Sequence, residues 1–324
     1  MLLGVAIGDG LGNTTESQLP ARRWAERGEI RDYLPNRYAG DQAVGVPSDD
    51  TQMAFWTVEH LLEHGRFVPE LLSARFAKAR IFGIGSSVRQ FQANWSPERP
   101  WWTVGAPSAG NGALMRIAPM LLPHLAAPSS ELWADAALSA AITHRDAAAI
   151  SSAVAFTALD WDLLGRTAAP QPEWWLDRYV EVASEIEGSM PYVPRGGDWT
   201  DWQGPVWQFV DHEVRRALTR GGSTLATVNS WYSGAYLLET VPTALFILAR
   251  HAADPEEAII RAVNDTKDND TIAAIVGAAV GALHGAAALP RRWLAGLTGR
   301  LEEADDGTVQ ALTERAILQY GTGS

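Results

Sequence analysis

Residues 264–285 read NDTKDNDTIAAIVGAAVGALHG, so an acidic segment leads directly into the most apolar helical stretch of the chain. Apolar side chains recur there at helical spacing on one face, at Ile272, Ile275, Val276, Ala279 and Leu283. The low-charge stretch from Ile272 to Leu289 is long enough to raise the question of a membrane span. Its many small residues and the acids before it favour the buried central helix of a soluble bundle.

The same helical periodicity dominates the rest of the sequence. Helices are predicted at 51–65, 69–81, 112–119, 129–142, 147–159, 233–250 and 256–263. Alternating strand patterns are nearly absent. We therefore predict an all-α fold of roughly a dozen helices, a single compact orthogonal helical bundle. We expect residues 1–324 to form one domain.

One region departs from this pattern. Residues 160–232 are rich in Trp, Gly and Pro and include GGDWTDWQGP at 196–205. Frequent Gly and Pro residues are typical of loops and turns. We predict an irregular, aromatic-lined insertion between helices there.

Composition excludes several classes of function. The absence of cysteine excludes thiol nucleophiles, thiolate metal sites and a disulfide framework. The net charge of −12 disfavours binding of long nucleic acids. The start MLLGVAIGDG lacks the basic residues and cleavage site of a signal peptide. We expect a soluble, cytoplasmic protein with no membrane partner; its oligomeric state is left open.

Two acidic segments stand directly before predicted helices. In the first, Ser48, Asp49, Asp50 and Thr51 place four oxygen-bearing side chains in a row. Helix capping explains one such side chain but does not require four. The second segment carries Asp265, Asp268, Asp270 and Thr271 at the start of the apolar helix.

Three aspartates at the start of a buried helix are costly unless a cation neutralises them. Lys267 alone is a poor partner for three acids. Oxygen ligands without cysteine suit Mg²⁺ or Mn²⁺, and the spacing of an EF-hand is absent. The two acidic helix starts could converge across a bundle and hold two metal ions.

Glycines mark three further segments. Gly8, Gly10 and Gly12 follow no strand, so a dinucleotide-binding fingerprint is excluded in favour of a close helix contact and loop. Two other loops have the composition of an anion-binding backbone. They contain Gly83, Gly85, Ser86 and Ser87 in one and Gly110, Asn111 and Gly112 in the other. For the Asn-Gly pair, a tight turn is the alternative interpretation.

His144 lies between two predicted helices. An isolated histidine in such a position is more often structural than catalytic.

Taken in this order, the motifs resemble the ADP-ribosylglycohydrolase family. The matching pieces are residues 4–16, 48–54, 108–116, 143–146, 233–245 and 268–285. The double aspartate at 49–50 and the Asp-x-Asp-Thr at 268–271 are the most specific pair. Four positions depart from the family pattern: Ser48 replaces the usual Thr, Thr266 and Lys267 replace two glycines, and Asn269 replaces a Thr.

The resemblance implies an all-helical enzyme with a binuclear Mg²⁺ or Mn²⁺ centre. The implied metal ligands are Ser48, Asp49, Asp50, Asp268, Asp270 and Thr271. Asp49, Asp50 or Glu16 would assist the attack of water, and Glu16 would lie at the metal site or beside the ribose. The two glycine-rich loops would line the ADP-ribose pocket, with His144 in a supporting role and Tyr236 a candidate for stacking on adenine.

The implied activity is hydrolysis of the glycosidic bond between ADP-ribose and an acceptor such as an arginine or serine side chain. Hydrolysis of O-acetyl-ADP-ribose or of an ADP-ribosylated nucleobase is an alternative on the same site. A non-catalytic ADP-ribose-binding protein and a magnesium-dependent phosphohydrolase are rivals from other classes. The acidic residues are all present, which argues against the non-catalytic reading.

Overall fold

Helices make up nearly all regular structure in residues 1–301 and 306–321, the part of the chain that the computed structural model describes. The α-helices are α1 (Leu2–Gly12), α2 (Pro20–Arg27), α3 (Asp49–His64), α4 (Pro69–Lys78), α5 (Ser86–Asn94), α6 (Glu131–Thr143), α7 (Ala147–Leu164), α8 (Pro172–Glu187), α9 (Val206–Phe209), α10 (Arg215–Arg220), α11 (Thr224–Ser230), α12 (Leu237–His251), α13 (Pro255–Asp265), α14 (Asn269–His284), α15 (Arg291–Gly296) and α16 (Thr308–Tyr320). Two short strands, β1 (Pro35–Asn36) and β2 (Gln42–Ala43), pair antiparallel. The prediction of an all-α fold is confirmed.

Helix α14 is the centre of the bundle. Each of its residues from Asn269 to Leu283 is buried, and helices α1, α7, α12 and α13 pack around it. The closest of these contacts is with α1, where a Cβ atom on Gly4, Gly8 or Gly12 would clash with the backbone of α14. Glycine is required at these positions because the two backbones touch. The contact brings the end of α1 beside the acidic start of α14.

The region predicted to be an irregular insertion is mostly helical. Helix α8 and helices α9–α11 lie within it, and a π-helical turn at Val210–Val214 joins α9 to α10. Pro172 occupies the first turn of α8 and Pro205 precedes α9, so these prolines mark helix starts rather than loops. The aromatic side chains of Trp175 and Tyr179 are fully buried on one face of α8. Irregular backbone is confined largely to residues 188–205.

A second difference concerns the helix predicted at 112–119. The structure has two 3₁₀ segments there, Leu114–Arg116 and Ala118–His124. Pro119 and Pro123 lie in the second segment, and neither can donate the backbone hydrogen bond that continues an α-helix.

Within residues 1–301 and 306–321, α7 is the one helix long and apolar enough to cross a membrane, and 72% of it is buried inside the fold. A helix buried to this extent is typical of the core of a folded protein. Helix α14, for which the sequence raised the same question, has 16 residues and is enclosed by its neighbours.

Candidate metal centre

The two acidic helix starts meet in space. Carboxylate oxygens of Asp9, Asp50 and Asp270 lie within 4.8 Å of one another, as do those of Glu16, Asp268 and Asp270. We call these five residues the acidic cluster. Asp50 lies in the first turn of α3. Asp268 is at the N-cap position of α14, and Asp270 lies in the first turn of that helix. The cluster therefore joins side chains that are more than 200 residues apart, with Asp270 common to both groups.

Asp9 is the member of the cluster that the sequence analysis missed. Its carboxylate accepts hydrogen bonds from the amide and hydroxyl of Ser48 (2.7–3.0 Å) and from those of Thr51 (2.6 and 3.1 Å). Asn13 Nδ2 donates a further bond at 3.1 Å. Asp9 thus caps α3 from a different helix and fixes the orientation of the Ser48 hydroxyl. An aspartate within an apolar, glycine-rich helix was the signal that could have identified it.

The electrostatics of the cluster oppose full ionisation. Burial, followed by the charges of neighbouring carboxylates, raises the pKa values of Asp49, Asp50 and Asp270 well above their usual range. Burial raises the pKa of Asp268 to about 6. Desolvation together with the charges of Asp268 and Asp9 raises the pKa of Glu16 to about 7. The cluster therefore favours protons or a cation at neutral pH.

The donor set fits a hard divalent cation. The Asp50 Oδ1 atom is buried without a hydrogen-bond partner among the described residues. The hydroxyls of Ser48 and Thr271 lie 3.3 and 3.4 Å from Asp50 Oδ2. Lys267 forms no ion pair with a carboxylate in the described part of the chain, because its ammonium contacts Tyr232 instead. Carboxylate and hydroxyl oxygens around an unsatisfied acceptor are the ligands that Mg²⁺ or Mn²⁺ prefers.

Not every acid singled out in the sequence belongs to the cluster. Asp265 lies 3.3 Å from Arg261 in an ion pair one helical turn away, and it is outside both groups of converging oxygens. Asp49 is half-buried at the first position of α3, and a Cβ atom on Gly83 would lie 3.1 Å from its Oδ1 atom. Asp49 therefore faces the first glycine-rich loop from the edge of the cluster.

The two glycine-rich loops lie together beside the cluster. The hydroxyls of Ser87 and Ser108 are 2.7 Å apart, and Ser108 Oγ accepts a bond from the Gly110 amide. A side chain at Gly110 or Gly112 would press on the ring of His144. Gly85 and Ser86 form the start of α5. The loops predicted to line one pocket are thus neighbours, and glycine leaves their backbone accessible.

Asn111 and Tyr236 connect these loops to the cluster. Asn111 Nδ2 donates to Asp268 Oδ2 at 2.6 Å and to Thr240 Oγ1 at 3.0 Å. Gly110 forms an antiparallel bridge with Tyr236, which directly precedes α12.

Burial and the nearby Arg116 charge lower the pKa of His144 to about 3, so its imidazole is neutral.

Two cavities reach the cluster. The larger, of about 850 Å³, is lined by Glu16, Ser48 and Gly83 and by the β1–β2 hairpin. The smaller, of about 290 Å³, is lined by Asp268 and by Tyr232, Gly234 and Ala235, among others. A substrate bound across the acidic cluster would have space on both sides.

Divalent-metal binding predicts a specific dependence of stability on pH. The raised pKa values of Asp268 and Glu16 mean that the folded, metal-free chain binds more protons than the unfolded chain between about pH 4 and pH 7. Its stability therefore falls as pH rises through this range, while metal binding strengthens as the ligands lose protons. We expect Mn²⁺ to raise Tm by several degrees more at about pH 8 than at about pH 5, measured by calorimetry after EDTA treatment. An equal shift at both pH values would contradict the assignment.

Fold and site together define an all-α protein whose largely buried acidic cluster, gathered around two helix starts, can hold divalent cations. A sequence model of the ADP-ribosylglycohydrolase family matches residues 1–322. The chain therefore belongs to the ADP-ribosylglycohydrolases, a family of hydrolytic enzymes.

Individual relatives match over most of the chain. An uncharacterized protein of Archaeoglobus fulgidus is 32% identical over 310 residues, which cover 93% of this chain and 92% of the relative. ADP-ribosylarginine hydrolase Tri1 of Pseudomonas putida is 24% identical, covering 90% of this chain and 72% of that protein. A solved structure described as an ADP-ribosylglycohydrolase-related protein complex superposes with a TM-score of 0.72 at 25% identity, covering 99% of this chain and 96% of the other.

Proposed function

We propose that this protein hydrolyses the glycosidic bond between ADP-ribose and an acceptor, with two Mg²⁺ or Mn²⁺ ions held at the acidic cluster. The observation that carries this proposal is the convergence of the Asp9–Asp50–Asp270 and Glu16–Asp268–Asp270 groups. All donor atoms of the cluster are oxygens, and the buried Asp50 Oδ1 atom has no hydrogen-bond partner among the described residues. Both features fit the metal dependence of the family.

The metal ligands in this proposal are the side chains of Ser48, Asp49, Asp50, Asp268, Asp270 and Thr271. Bound there, divalent ions would orient the ribose hydroxyls and lower the pKa of a water molecule. In this proposal Asp9 completes the converging group by orienting the Ser48 hydroxyl, because its oxygens already accept six hydrogen bonds from Ser48, Thr51 and Asn13.

Glu16 is the preferred general base. It is the exposed member of the cluster and it lines the larger cavity, so a water molecule beside a bound substrate can reach its carboxylate. Asp49 and Asp50 are the alternatives. His144 is buried and neutral, so its role is to support the backbone of Gly110 and Gly112.

The acceptor is proposed to be a protein side chain, with arginine first. The Pseudomonas putida relative is named an ADP-ribosylarginine hydrolase. Carboxylates on the cavity side of the cluster would also attract a guanidinium leaving group. Serine linkages, O-acetyl-ADP-ribose and ADP-ribosylated bases are the other acceptor classes to be compared.

The test is a substrate panel. The purified protein with Mg²⁺ or Mn²⁺ is incubated with ADP-ribosylated arginine, serine, acetyl-ester and nucleobase conjugates, and free ADP-ribose is measured by chromatography. We expect release from at least one conjugate, abolished by EDTA and restored by metal. Release of inorganic phosphate instead would indicate a phosphohydrolase. Tight ADP-ribose binding with no turnover of any conjugate would indicate a non-catalytic binding protein.

A further inference from the structure

The proposed base, Glu16, lies on a tight turn that follows the end of α1. The Gln18 amide donates to the Thr15 carbonyl at 3.2 Å and closes a four-residue β-turn. Glu16 has φ of −49° and ψ of 142°, and Ser17 has φ of 63°. These angles are those of a type II turn, whose third residue is usually Gly or Asn because its φ is positive. Ser17 is neither, so the turn carries backbone strain and persists only where its surroundings hold it.

One buried arginine holds both ends of this turn. Arg23 in α2 is 1% exposed. Its Nε atom donates to the Thr15 hydroxyl at 3.1 Å, and its Nη2 atom donates to the Thr15 and Gln18 carbonyls at 3.3 and 3.0 Å. Because the guanidinium is planar and rigid, these donors fix the two ends of the turn relative to each other. Glu16 lies between the two residues that Arg23 contacts.

The same guanidinium reaches the loop that leads into α14. Arg23 Nη1 donates to the carbonyls of Asn264 and Thr266 at 3.2 and 2.7 Å. Asn264 lies in the last turn of α13, and Thr266 follows that helix directly, two residues before Asp268. Arg23 therefore joins the backbone around Glu16 to the backbone just before the proposed metal ligands of α14.

The hydrogen-bond partners of Arg23 are all neutral. They are backbone carbonyls and one hydroxyl, and no carboxylate accepts from this guanidinium in the described part of the chain. Burial lowers the pKa of Arg23 to about 10, a shift that the charges of Asp270 and Asp265 oppose, so the side chain is charged at neutral pH. The carboxylates act on Arg23 only at a distance. Its position is thus set by the backbone of the turn and of the loop.

Thr15 is held from a second side by Asn269. Asn269 Nδ2 donates to the Thr15 hydroxyl and to the Gly12 carbonyl, both at 3.0 Å. Asn269 is fully buried and Thr15 is 1% exposed. Asn269 is one of the positions that depart from the family pattern, and its amide contacts the first residue of the turn that carries Glu16.

The Glu16 carboxylate itself is not held by a side chain. Glu16 and Ser17 are exposed, and among the described residues no group donates a hydrogen bond to the Glu16 carboxylate. Its oxygens nevertheless converge to within 4.8 Å of those of Asp268 and Asp270. The backbone of the turn must therefore place this carboxylate.

We propose that Arg23 is the positioning residue for Glu16. It holds the strained turn at residues 15–18 against the loop before α14, and this contact sets the distance between the Glu16 carboxylate and the acids of α14. The inference rests on the proposed function, since it is there that Glu16 acts as the base. Arg23 touches neither substrate nor metal in this proposal and acts only through the turn.

The first test measures the turn directly, in metal-free protein. Arg23→Lys keeps the charge, but a single ammonium cannot reach acceptors on both the turn and the loop. The amides of Glu16 and Gln18 donate within the segment 13–18. We expect their hydrogen exchange to become about tenfold faster in Arg23→Lys, the effect of losing about one hydrogen bond. Thr15→Val, which removes only the hydroxyl that Arg23 and Asn269 share, is a milder variant that should show the same pattern.

The second test separates positioning from a general structural role. We expect Arg23→Lys to lower kcat for the best conjugate about 30-fold, part of the roughly 100- to 10,000-fold that a positioned base contributes, with KM within about threefold. In a Glu16→Gln background, Arg23→Lys should cause no further loss of kcat, because the group that it positions is already removed. The rise in Tm produced by Mn²⁺ should be kept in Arg23→Lys.

Arg116→Lys is the matched control. Arg116 is also fully buried, and it donates to Ser139 and Thr143 with no carboxylate among its described partners. The substitution should destabilise the fold to a similar degree and leave hydrogen exchange in residues 13–18 unchanged. Any loss of kcat that it causes should persist in the Glu16→Gln background.

Failure of this proposal can be told apart from failure of the proposed function. If the unmodified protein cleaves no conjugate in the panel, the proposed function fails, whereas hydrogen exchange still reports whether Arg23 holds the turn. Exchange in residues 13–18 that is no faster in Arg23→Lys than in Arg116→Lys overturns the positioning role. An equal loss of kcat from Arg23→Lys with and without Glu16 also overturns it, and so does a lost response of Tm to Mn²⁺, because the effect would then act through the metal ligands.

Discussion

Replacing Asp270 with Asn is expected to lower kcat for the best conjugate at least about 1,000-fold, the loss of several kcal/mol of metal-dependent stabilisation. Asp270 belongs to both groups of converging carboxylates, so one substitution weakens both proposed metal positions. The same change should raise Tm of the EDTA-treated protein at alkaline pH, because it removes a carboxyl group whose ionisation is opposed by burial and by neighbouring carboxylates. Kinetics and calorimetry on the same preparation measure both effects.

Asp265→Asn is the matched control for this substitution. Asp265 is also buried, lies five residues earlier and pairs with Arg261 rather than with the cluster. We expect Asp265→Asn to retain metal-induced stabilisation and turnover. An Asp270→Asn protein with full turnover would overturn the metal assignment, and so would one whose Tm still responds fully to Mn²⁺.

Asp9→Ala is expected to have the opposite effect on stability. The substitution leaves the amides and hydroxyls of Ser48 and Thr51 without their acceptor at the buried start of α3. Hydrogen bonds to a charged acceptor contribute about 1.5–3 kcal/mol each, and several are lost here. We expect the free energy of unfolding to fall by about 3–5 kcal/mol, measured by urea denaturation with EDTA present.

An ordinary helix cap provides the comparison. Asp254 caps α13 by accepting one bond from the Glu257 amide at 3.1 Å. Asp254→Ala should cost about 1 kcal/mol. If Asp9→Ala costs no more than Asp254→Ala, Asp9 does not organise the start of α3 as described.

The sequence was sufficient to predict the helical class and the convergence of two acidic helix starts. Both rest on local signals: apolar spacing, and acids placed where a buried helix begins. The segments at 48–51 and 268–271 were recognised because the cost of burying several carboxylates is visible without a structure. Asp9 was missed because its partners, Ser48 and Thr51, lie about 40 residues away and become its neighbours only through folding.

The region 160–232 shows where local reasoning fails. Its prolines and aromatic residues are typical loop signals, yet Pro172 starts a helix and Trp175 is packed in the core. Whether a proline ends a helix or begins one depends on the residues that follow it. The ion pair of Arg195 with Glu239 could not be inferred either, because no spacing in sequence relates segment 188–205 to α12.

The contact of α1 with α14 also constrains how the chain is made. At a synthesis rate of 5–20 residues per second, roughly 10–50 seconds separate the emergence of the two helices from the ribosome. During that interval the apolar surface of Leu2–Gly12, which is buried in the finished bundle, has no α14 to cover it. Newly made chains should therefore depend on chaperones that shield an N-terminal segment, and slow synthesis of the middle of the protein should lower its yield.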